Sequence, residues 1–326
     1  MRGILSSTAV RAALLAGLMG AGSTAAAAGP SQPVCHDASG LSSSYCDREG
    51  NLLASLPDDP AMWRDPPTLV WAYTPIEDPA IYAELFKPFT THLAACVGRQ
   101  VVYYPVQSNA SQVDALRSGR IHFAGFSTGP TVVAVQQAGA VPFAAKGTGD
   151  GIRGYRLVAV VRAESEFTQL SDLRGQRVAH SSVMSNSGNL APRALFPDKG
   201  LRPDVDYTPI ISGGHDRSLL GVLRGDYHMA AVASDVLERM IERGIVPADS
   251  LRIIYESAVF PTSSFVHAHD LTPELAQALR DCFFSFSFPT RMIHEFNGDD
   301  RFLPLDYKTD WAVVRDVMAQ VDGMLD

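Results

Sequence analysis

Apolar and polar positions along this chain fall into alternating strand-like and helix-like stretches, and the series runs twice. Residues 68–72 (Thr-Leu-Val-Trp-Ala) form a short apolar run bounded by Pro67 and by Thr74-Pro75, which predicts a buried strand. Residues 79–96 then place Ile81, Leu85, Phe86, Phe89 and Leu93 at helical spacing before Gly98, which predicts a helix and its stop. Strands are predicted at 100–105, 121–125 and 155–162, with helices at 111–117 and 131–137 between them. The series restarts after a Ser-Asp-Leu-Arg-Gly turn at 171–175. Strands at 177–180, 207–211 and 227–232 then alternate with helices at 188–195, 216–224 and 234–242. Residues 251–256 and 264–268 read as strands leading back, and 273–286 as a long helix. Strands alternating with helices imply parallel βαβ units. A series that restarts and later returns describes two lobes joined by two crossovers, placed near Val161 and Ala258. The expected division is 67–160 with 259–326 for lobe 1, and 161–258 for lobe 2. The alternative is a single doubly wound enzyme sheet, which has no reason to restart halfway.

The stretch before the first strand has a different character. Met1-Arg2 and Arg11 supply positive charge, residues 12–19 are apolar, and Ala26-Ala27-Ala28 precedes Gly29. That order predicts a secretory signal peptide over 1–28, too short in its apolar part to span a bilayer. No cysteine stands at the cut, so no lipid anchor is expected, and a soluble periplasmic protein is. Residues 29–66 read as an extended, Pro- and Asp-rich lead-in. Export makes disulfides permissible for the 4 cysteines. Cys35 and Cys46 bracket a polar, Ser- and Gly-rich segment and are paired with each other. Cys96 and Cys282 remain, both on helices assigned to one lobe, as a second bridge or as two buried thiols.

Charge narrows the partners. A net charge of −8 and a pI near 5.6 leave no basic stripe to neutralise phosphates, so nucleic acid is excluded. No Cys or His has zinc-like spacing; neither a metal nor a cofactor is expected. An acidic protein can still hold an anion, using local donors in a closed site.

Ligands of open α/β sheets bind beyond the carboxyl ends of strands, where helix N-termini converge. Four such junctions carry small polar residues: Tyr73-Thr74, then Ser127-Thr128-Gly129-Pro130-Thr131, then Ser185-Asn186-Ser187-Gly188, and Ser212-Gly213-Gly214-His215. Hydroxyls and unpaired N–H groups at helix starts make an anion-binding surface without any lysine. For any one junction, helix capping and turn formation explain the same residues. Two junctions in each lobe would face each other across one cleft. Capping does not call for imidazole at His215, which as an imidazolium would donate to the anion. His267 and His269 sit on an apolar strand and are read as structural.

Enzymatic readings find little local support. Residues 147–154 (GTGDGIRG) lack the Lys-Ser/Thr of a phosphate loop, and Ser127 is outside a G-x-S-x-G elbow. No nucleophile and base stand together, so the chain is not read as an enzyme.

Taken together, residues 171–179, Ser185-Asn-Ser-Gly188 with Pro192, Gly129-Pro130, and Gly214-His215 followed by Gly225-Asp226 resemble the PhnD-like group. These are the phosphonate-, phosphite- and phosphate-binding proteins of ABC transporters. The resemblance covers roughly residues 68–288. It implies a venus-flytrap fold of type II, two α/β lobes each built on a mostly parallel sheet flanked by helices, with a tetrahedral anion clasped between them. It places Thr74, Ser127 and Thr128 in one half of the site, and Ser185, Asn186, Ser187 and His215 in the other; the strand-end junctions add Tyr73, Gly129 and Thr131 to the first half and Gly188 to the second. A monomer is expected, presenting its ligand to a transporter permease or to a sensor histidine kinase. Residues 126–146 are similar to an arsenic-responsive branch that signals to a sensor histidine kinase. Arsenite recognition favours a soft thiolate, and the cleft loops contain no cysteine. The expected ligand is therefore phosphate or arsenate, then phosphite or a phosphonate. Alternatives are another small solute (arsenite, an amino acid needing a cleft carboxylate such as Asp235, or an organosulfonate), or a secreted α/β enzyme.

Overall fold

The computed structural model describes residues 35, 40–75 and 79–321; the expected signal peptide, 1–28, lies outside them. In chain order the elements are β1 (Thr68–Tyr73), α1 (Pro79–Leu85), α2 (Lys87–Val97), β2 (Gln100–Tyr103), α3 (Asn109–Arg117), β3 (Phe123–Phe126), α4 (Thr128–Ala138), β4 (Ala140–Thr148), β5 (Gly151–Ile152) and β6 (Gly154–Arg162). There follow β7 (Arg177–His180), α5 (Ala191–Leu195), β8 (Thr208–Ile211), α6 (His215–Arg224), β9 (Met229–Ala233), α7 (Ser234–Glu242) and β10 (Leu251–Pro261). The chain closes with β11 (Ser264–Ala268), α8 (Pro273–Phe284), α9 (Thr290–Glu295), β12 (Arg301–Pro304), α10 (Tyr307–Asp310) and α11 (Ala312–Val321).

These elements build two sheets, one per lobe. The first is 7-stranded in the order β12-β4-β11-β3-β1-β2, with β5 on β4; the second is 5-stranded in the order β10-β6-β9-β7-β8. Pairing is parallel within β2-β1-β3 and within β8-β7-β9, and antiparallel elsewhere. The sheets are thus mixed where a mostly parallel pattern was expected. Each βαβ series pairs in parallel, and the strands that leave or re-enter a lobe return antiparallel.

The lobe boundary falls elsewhere than the sequence suggests. β6 pairs with β9 and β10 along its length, so residues 155–160 belong to the second sheet. Likewise β10 stays in that sheet to Pro261. The chain changes sheet between Ile152 and Gly154, and again at Thr262-Ser263. β6 is apolar on both faces (Leu157 to Val161 all buried), which suits a central strand covered by helices on both sides. Apolarity alone does not say which sheet it enters.

Aromatic packing holds the first lobe. Trp71 stacks on Phe123 at 5.5 Å and meets Phe86, Phe89 and Tyr103 edge-on, while its indole N–H donates to Thr90 Oγ1 at 3.2 Å. α2 and α8 lie side by side, tied by a Cys96–Cys282 disulfide with Cα atoms 5.8 Å apart. A Cys35–Cys46 disulfide closes the lead-in, where the buried Asp47 carboxylate accepts the N–H groups of Gly50, Asn51 and Leu52 at 2.8–3.2 Å. The second lobe relies on small residues, with Ala159, Ala179, Ala230 and Ala231 fully buried. α11 packs against both α4 and α5 and so braces the two lobes. No helix among the described residues is long and apolar enough to cross a membrane.

His267 and His180 are structural, one in each lobe. His180 lies behind the Ser185 loop, bonded to Asn189 Oδ1 and Tyr207 Oη at 2.8 Å each. Burial pushes the imidazoles of His180 and His267 down to about 4. Unfolded histidines titrate near 6.5, so this stabilisation is complete above that pH and is lost as pH falls towards 4. The loss by pH 5 should be roughly 1–2 kcal/mol per histidine. Urea unfolding at pH 7.5 and 5 measures it. Proton NMR should show both rings untitrated above pH 5; a ring titrating near 6.5 in the folded protein would refute the assignment.

Candidate functional site

A cavity of about 890 Å³ lies between the lobes. Its lining includes Tyr73, Thr74, Ser127 and Thr128 from the first lobe and Ser185, Asn186, Ser187 and His215 from the second. Gly129, Thr131 and Gly188 do not line it. Thr131 donates to Ser127 O at 2.9 Å and pairs with Ser264 Oγ at 2.8 Å, inside the lobe. Gly188 donates its N–H to Ser185 Oγ at 3.1 Å; a Cβ on it would lie 1.7 Å from Ser181 Oγ. Gly129 is one point where the lobes touch. A Cβ there would fall 2.4 Å from Met184 O and 3.2 Å from Asn186 N.

The hydroxyls differ in how far the fold has used them. Thr74 Oγ1 donates to Gln112 Oε1 at 2.7 Å and accepts Ser127 N–H at 3.1 Å, so it holds the β1 and β3 loops in place. Thr128 Oγ1 donates to Pro261 O at 2.9 Å. Ser127 starts α4 without a side-chain cap, which leaves its hydroxyl uncommitted. Ser187 is buried beside Tyr155, whose phenol accepts Asn186 Nδ2 at 3.1 Å. Burial pushes the Tyr155 hydroxyl up to about 12, with Thr128, Asn186 and Ser187 around it. This tyrosine, absent from the sequence-derived site, joins the donors of both lobes.

Ser185 and His215 form the most constrained pair. His215 Nδ1 accepts the N–H of Ala233 at 3.3 Å, so its ring proton sits on Nε2 and an imidazolium would break that bond. In that tautomer a neutral His215 donates through Nε2, a role the sequence reading gave to an imidazolium. Nε2 lies 3.3 Å from Ser185 Oγ, which also accepts Gly188 N–H at 3.1 Å. With both lone pairs engaged, Ser185 keeps its own O–H to donate. The same tautomer excludes His215 as a base for Ser185, because Nε2 already carries a proton.

Charged groups were underestimated from the sequence. Lys146, 4% exposed, lines the cleft with Arg153, Arg156, Arg217, Arg239 and Arg243. Facing them are Asp235, Glu238, Glu256, Glu295 and Asp299. Asp235 pairs with Arg239 at 3.0 Å, Glu256 with Arg156 at 2.9 Å, and Glu295 with Arg243 across the lobes. Asp299 is 3.9 Å from Arg153 Nε; burial raises its carboxyl, while Lys146 and Arg153 pull it down. Lys146 Nζ is 3.1 Å from Tyr73 Oη and 3.2 Å from Ser263 Oγ. An anion surface free of lysine is therefore corrected: a buried ammonium stands in the cleft. The described residues contain no cluster of His, Cys, Asp and Glu able to hold a metal.

The family model described as "ABC transporter, phosphonate, periplasmic substrate-binding protein" matches residues 71–311, most of the chain. The chain belongs to this family of periplasmic substrate-binding proteins. It is 27% identical over 230 residues to the phosphate-import protein PhnD of Mycolicibacterium smegmatis, covering 67% of this chain and 71% of that protein. Among solved structures it is similar to PhnD1 of Prochlorococcus marinus in complex with methylphosphonate, with TM-score 0.71 and 18% identity over 79% of this chain and 99% of that one. A binding component of an ABC phosphonate transporter from Pseudomonas aeruginosa matches at TM-score 0.70 and 19% identity, over 80% and 90% of the chains. These structures share the two-lobed α/β fold. The family consists of binding proteins and not enzymes.

Gly129 supplies a test of the site's assembly. Gly129→Ala forces the α4 start away from the Ser185 loop and should cost about 1–3 kcal/mol as overpacking. Melting temperature and ligand affinity should fall together. Unchanged affinity would show that the lobes do not meet at this contact when a ligand is bound.

Proposed function

We propose that this protein is exported by residues 1–28 to the periplasm, where it binds one tetrahedral oxyanion between its lobes as a monomer. Phosphate or arsenate is the preferred ligand, followed by phosphite or a phosphonate. The observation that carries this reading is the Ser185 hydroxyl, whose lone pairs accept Gly188 N–H and His215 Nε2–H and whose proton is left for an acceptor in the cleft. Ser127 and Ser187 add hydroxyls, and the start of α4 adds peptide N–H groups. The similarity to a phosphate-import protein of Mycolicibacterium smegmatis favours the same class of ligand.

Arsenite is disfavoured because all four cysteines are spent in two disulfides and none lines the cleft. A free amino acid is disfavoured because Asp235 is engaged by Arg239. The recipient is the permease of an ABC transporter, the partner typical of the family; a sensor kinase is the recipient in the arsenic-responsive branch.

A thermal-shift series with phosphate, arsenate, phosphite, sulfate and arsenite tests the ligand class. A ligand at 100 times its Kd adds about 2.7 kcal/mol, so phosphate or arsenate should raise the melting temperature by several degrees and arsenite should not. Tight arsenite binding with no response to any tetrahedral anion would refute the reading.

The site residues are tested by titration. Ser185→Ala, Ser187→Ala and His215→Ala should each weaken the best anion by about 1.5–3 kcal/mol, roughly ten- to hundredfold, with the fold retained. Wild-type affinity in all of them would place the anion on other loops.

A further inference from the structure

Lys146 has no role in the donor set described so far. It stands near the end of β4, almost fully buried, and the face of Phe296 lies 4.3 Å from its nitrogen. Its Nζ donates to Tyr73 Oη at 3.1 Å and to Ser263 Oγ at 3.2 Å, and these two hydroxyls are 2.7 Å apart. An ammonium has three N–H donors, and hydroxyls account for two. Among the described residues Lys146 forms no ion pair. Asp299, the carboxylate that feels its charge, is turned towards Arg153 at 3.9 Å, and its Oδ1 has no hydrogen-bond partner. A buried cation without a paired anion is costly to keep, and a ligand group can supply the missing charge.

We propose that Lys146, with Tyr73 and Ser263, forms a second subsite that takes a carboxylate carried by a phosphonate ligand. The proposal rests on the tetrahedral-anion reading above and adds the chemistry of the ligand's other end. The subsite stands apart from the first and is joined to it by one turn. Ser127 opens α4, which packs on one face of the first sheet, whereas the Tyr73 ring, with Lys146 bonded to its hydroxyl, lies among Tyr82, Phe86 and Phe265. The turn at Pro261–Ser263 borders both sites: Pro261 and Thr262 accept Thr128 Oγ1 through their carbonyls, and Ser263 bonds Lys146. A ligand reaching past that turn touches both sets of donors. The cavity, at about 890 Å³, holds far more than one tetrahedral anion. An ammonium group in the same place would meet the like charge of Lys146, and Asp235 is held by Arg239.

The test compares three small phosphonates by calorimetry: methylphosphonate, phosphonoacetate and 2-aminoethylphosphonate. In the wild type, phosphonoacetate should bind about tenfold tighter than methylphosphonate, the gain expected of one hydrogen-bonded charge pair. 2-Aminoethylphosphonate should bind more weakly than either. In Lys146→Gln and Lys146→Met the ratio of phosphonoacetate to methylphosphonate affinity should fall to near one. Equal wild-type affinities for these two ligands, or an unchanged ratio in both variants, would overturn the subsite while leaving the tetrahedral site standing. Wild type silent to all three phosphonates, and to phosphate and arsenate, would overturn the parent reading and the subsite with it. The wild-type ranking needs no variant, so a misfolded Lys146 variant does not shield the proposal.

Discussion

A hydroxyl has two lone pairs and one proton, and in Ser185 the fold occupies both lone pairs before any ligand arrives. Gly188 N–H takes one and His215 Nε2–H the other. The second of these depends on Ala233, whose backbone N–H occupies His215 Nδ1 and so fixes which nitrogen carries the proton. The end of β9, the start of α6 and the Ser185 loop are thereby linked through one imidazole. Behind the loop, His180 bonds Asn189, and Asn189 Nδ2 donates to Val183 O at 2.7 Å. The donor faces the cleft because a buried, neutral scaffold of histidine and asparagine leaves it little freedom to turn away. Preorganisation of this kind lowers the ordering cost of binding.

The first lobe answers with a different economy. Thr74 looks like a ligand from the sequence, yet its hydroxyl joins Gln112 to Ser127 and holds the β3 end in register with β1. Gly125 is essential to the same corner. A Cβ there would fall 2.4 Å from the Tyr73 ring, so only glycine lets that ring cross β3 towards Ser263 and Lys146. Tyr73 and Thr74 are adjacent and both line the cleft, but one presents an aromatic hydroxyl beside a cation and the other secures a loop.

How much of this could be read from the chain follows from the range of each interaction. The order of strands and helices is legible because it rests on local periodicity, and the second run of that periodicity reveals two lobes. Pairing of β6 was missed, since a doubly buried strand carries no mark of the sheet it joins. β4 was missed because Pro142 lies within it; the β4–β11 register shifts beside that residue, where a bulge tolerates the missing N–H. With β4 unread, Lys146 had no place in the cleft, although a lone lysine closing an apolar run was the available signal. Cys96–Cys282 spans 186 residues, and only the neighbouring of α2 and α8 decides between a bridge and two thiols. Tyr155 is illegible for a related reason: only the fold brings it beside Thr128 of the other lobe.

An acidic chain that holds an anion cannot rely on its overall field, and the cleft shows how the charges are arranged instead. Most arginines there are spent on neighbouring carboxylates. Arg243–Glu295 joins the lobes, and Asn297 Nδ2 adds a contact at 3.3 Å to Glu238. Partly exposed pairs of this sort contribute about 0–1 kcal/mol each, too little to hold two lobes shut by themselves. A hydrogen bond to a charged ligand contributes about 1.5–3 kcal/mol, and the cleft offers several such donors from both sides. Apolar contacts of α11 with α4 and α5 hold the lobes together without a ligand, and a bound anion adds its hydrogen bonds to them. With those pairs made, hydroxyls, Lys146 and Arg217 are the groups that the cleft presents.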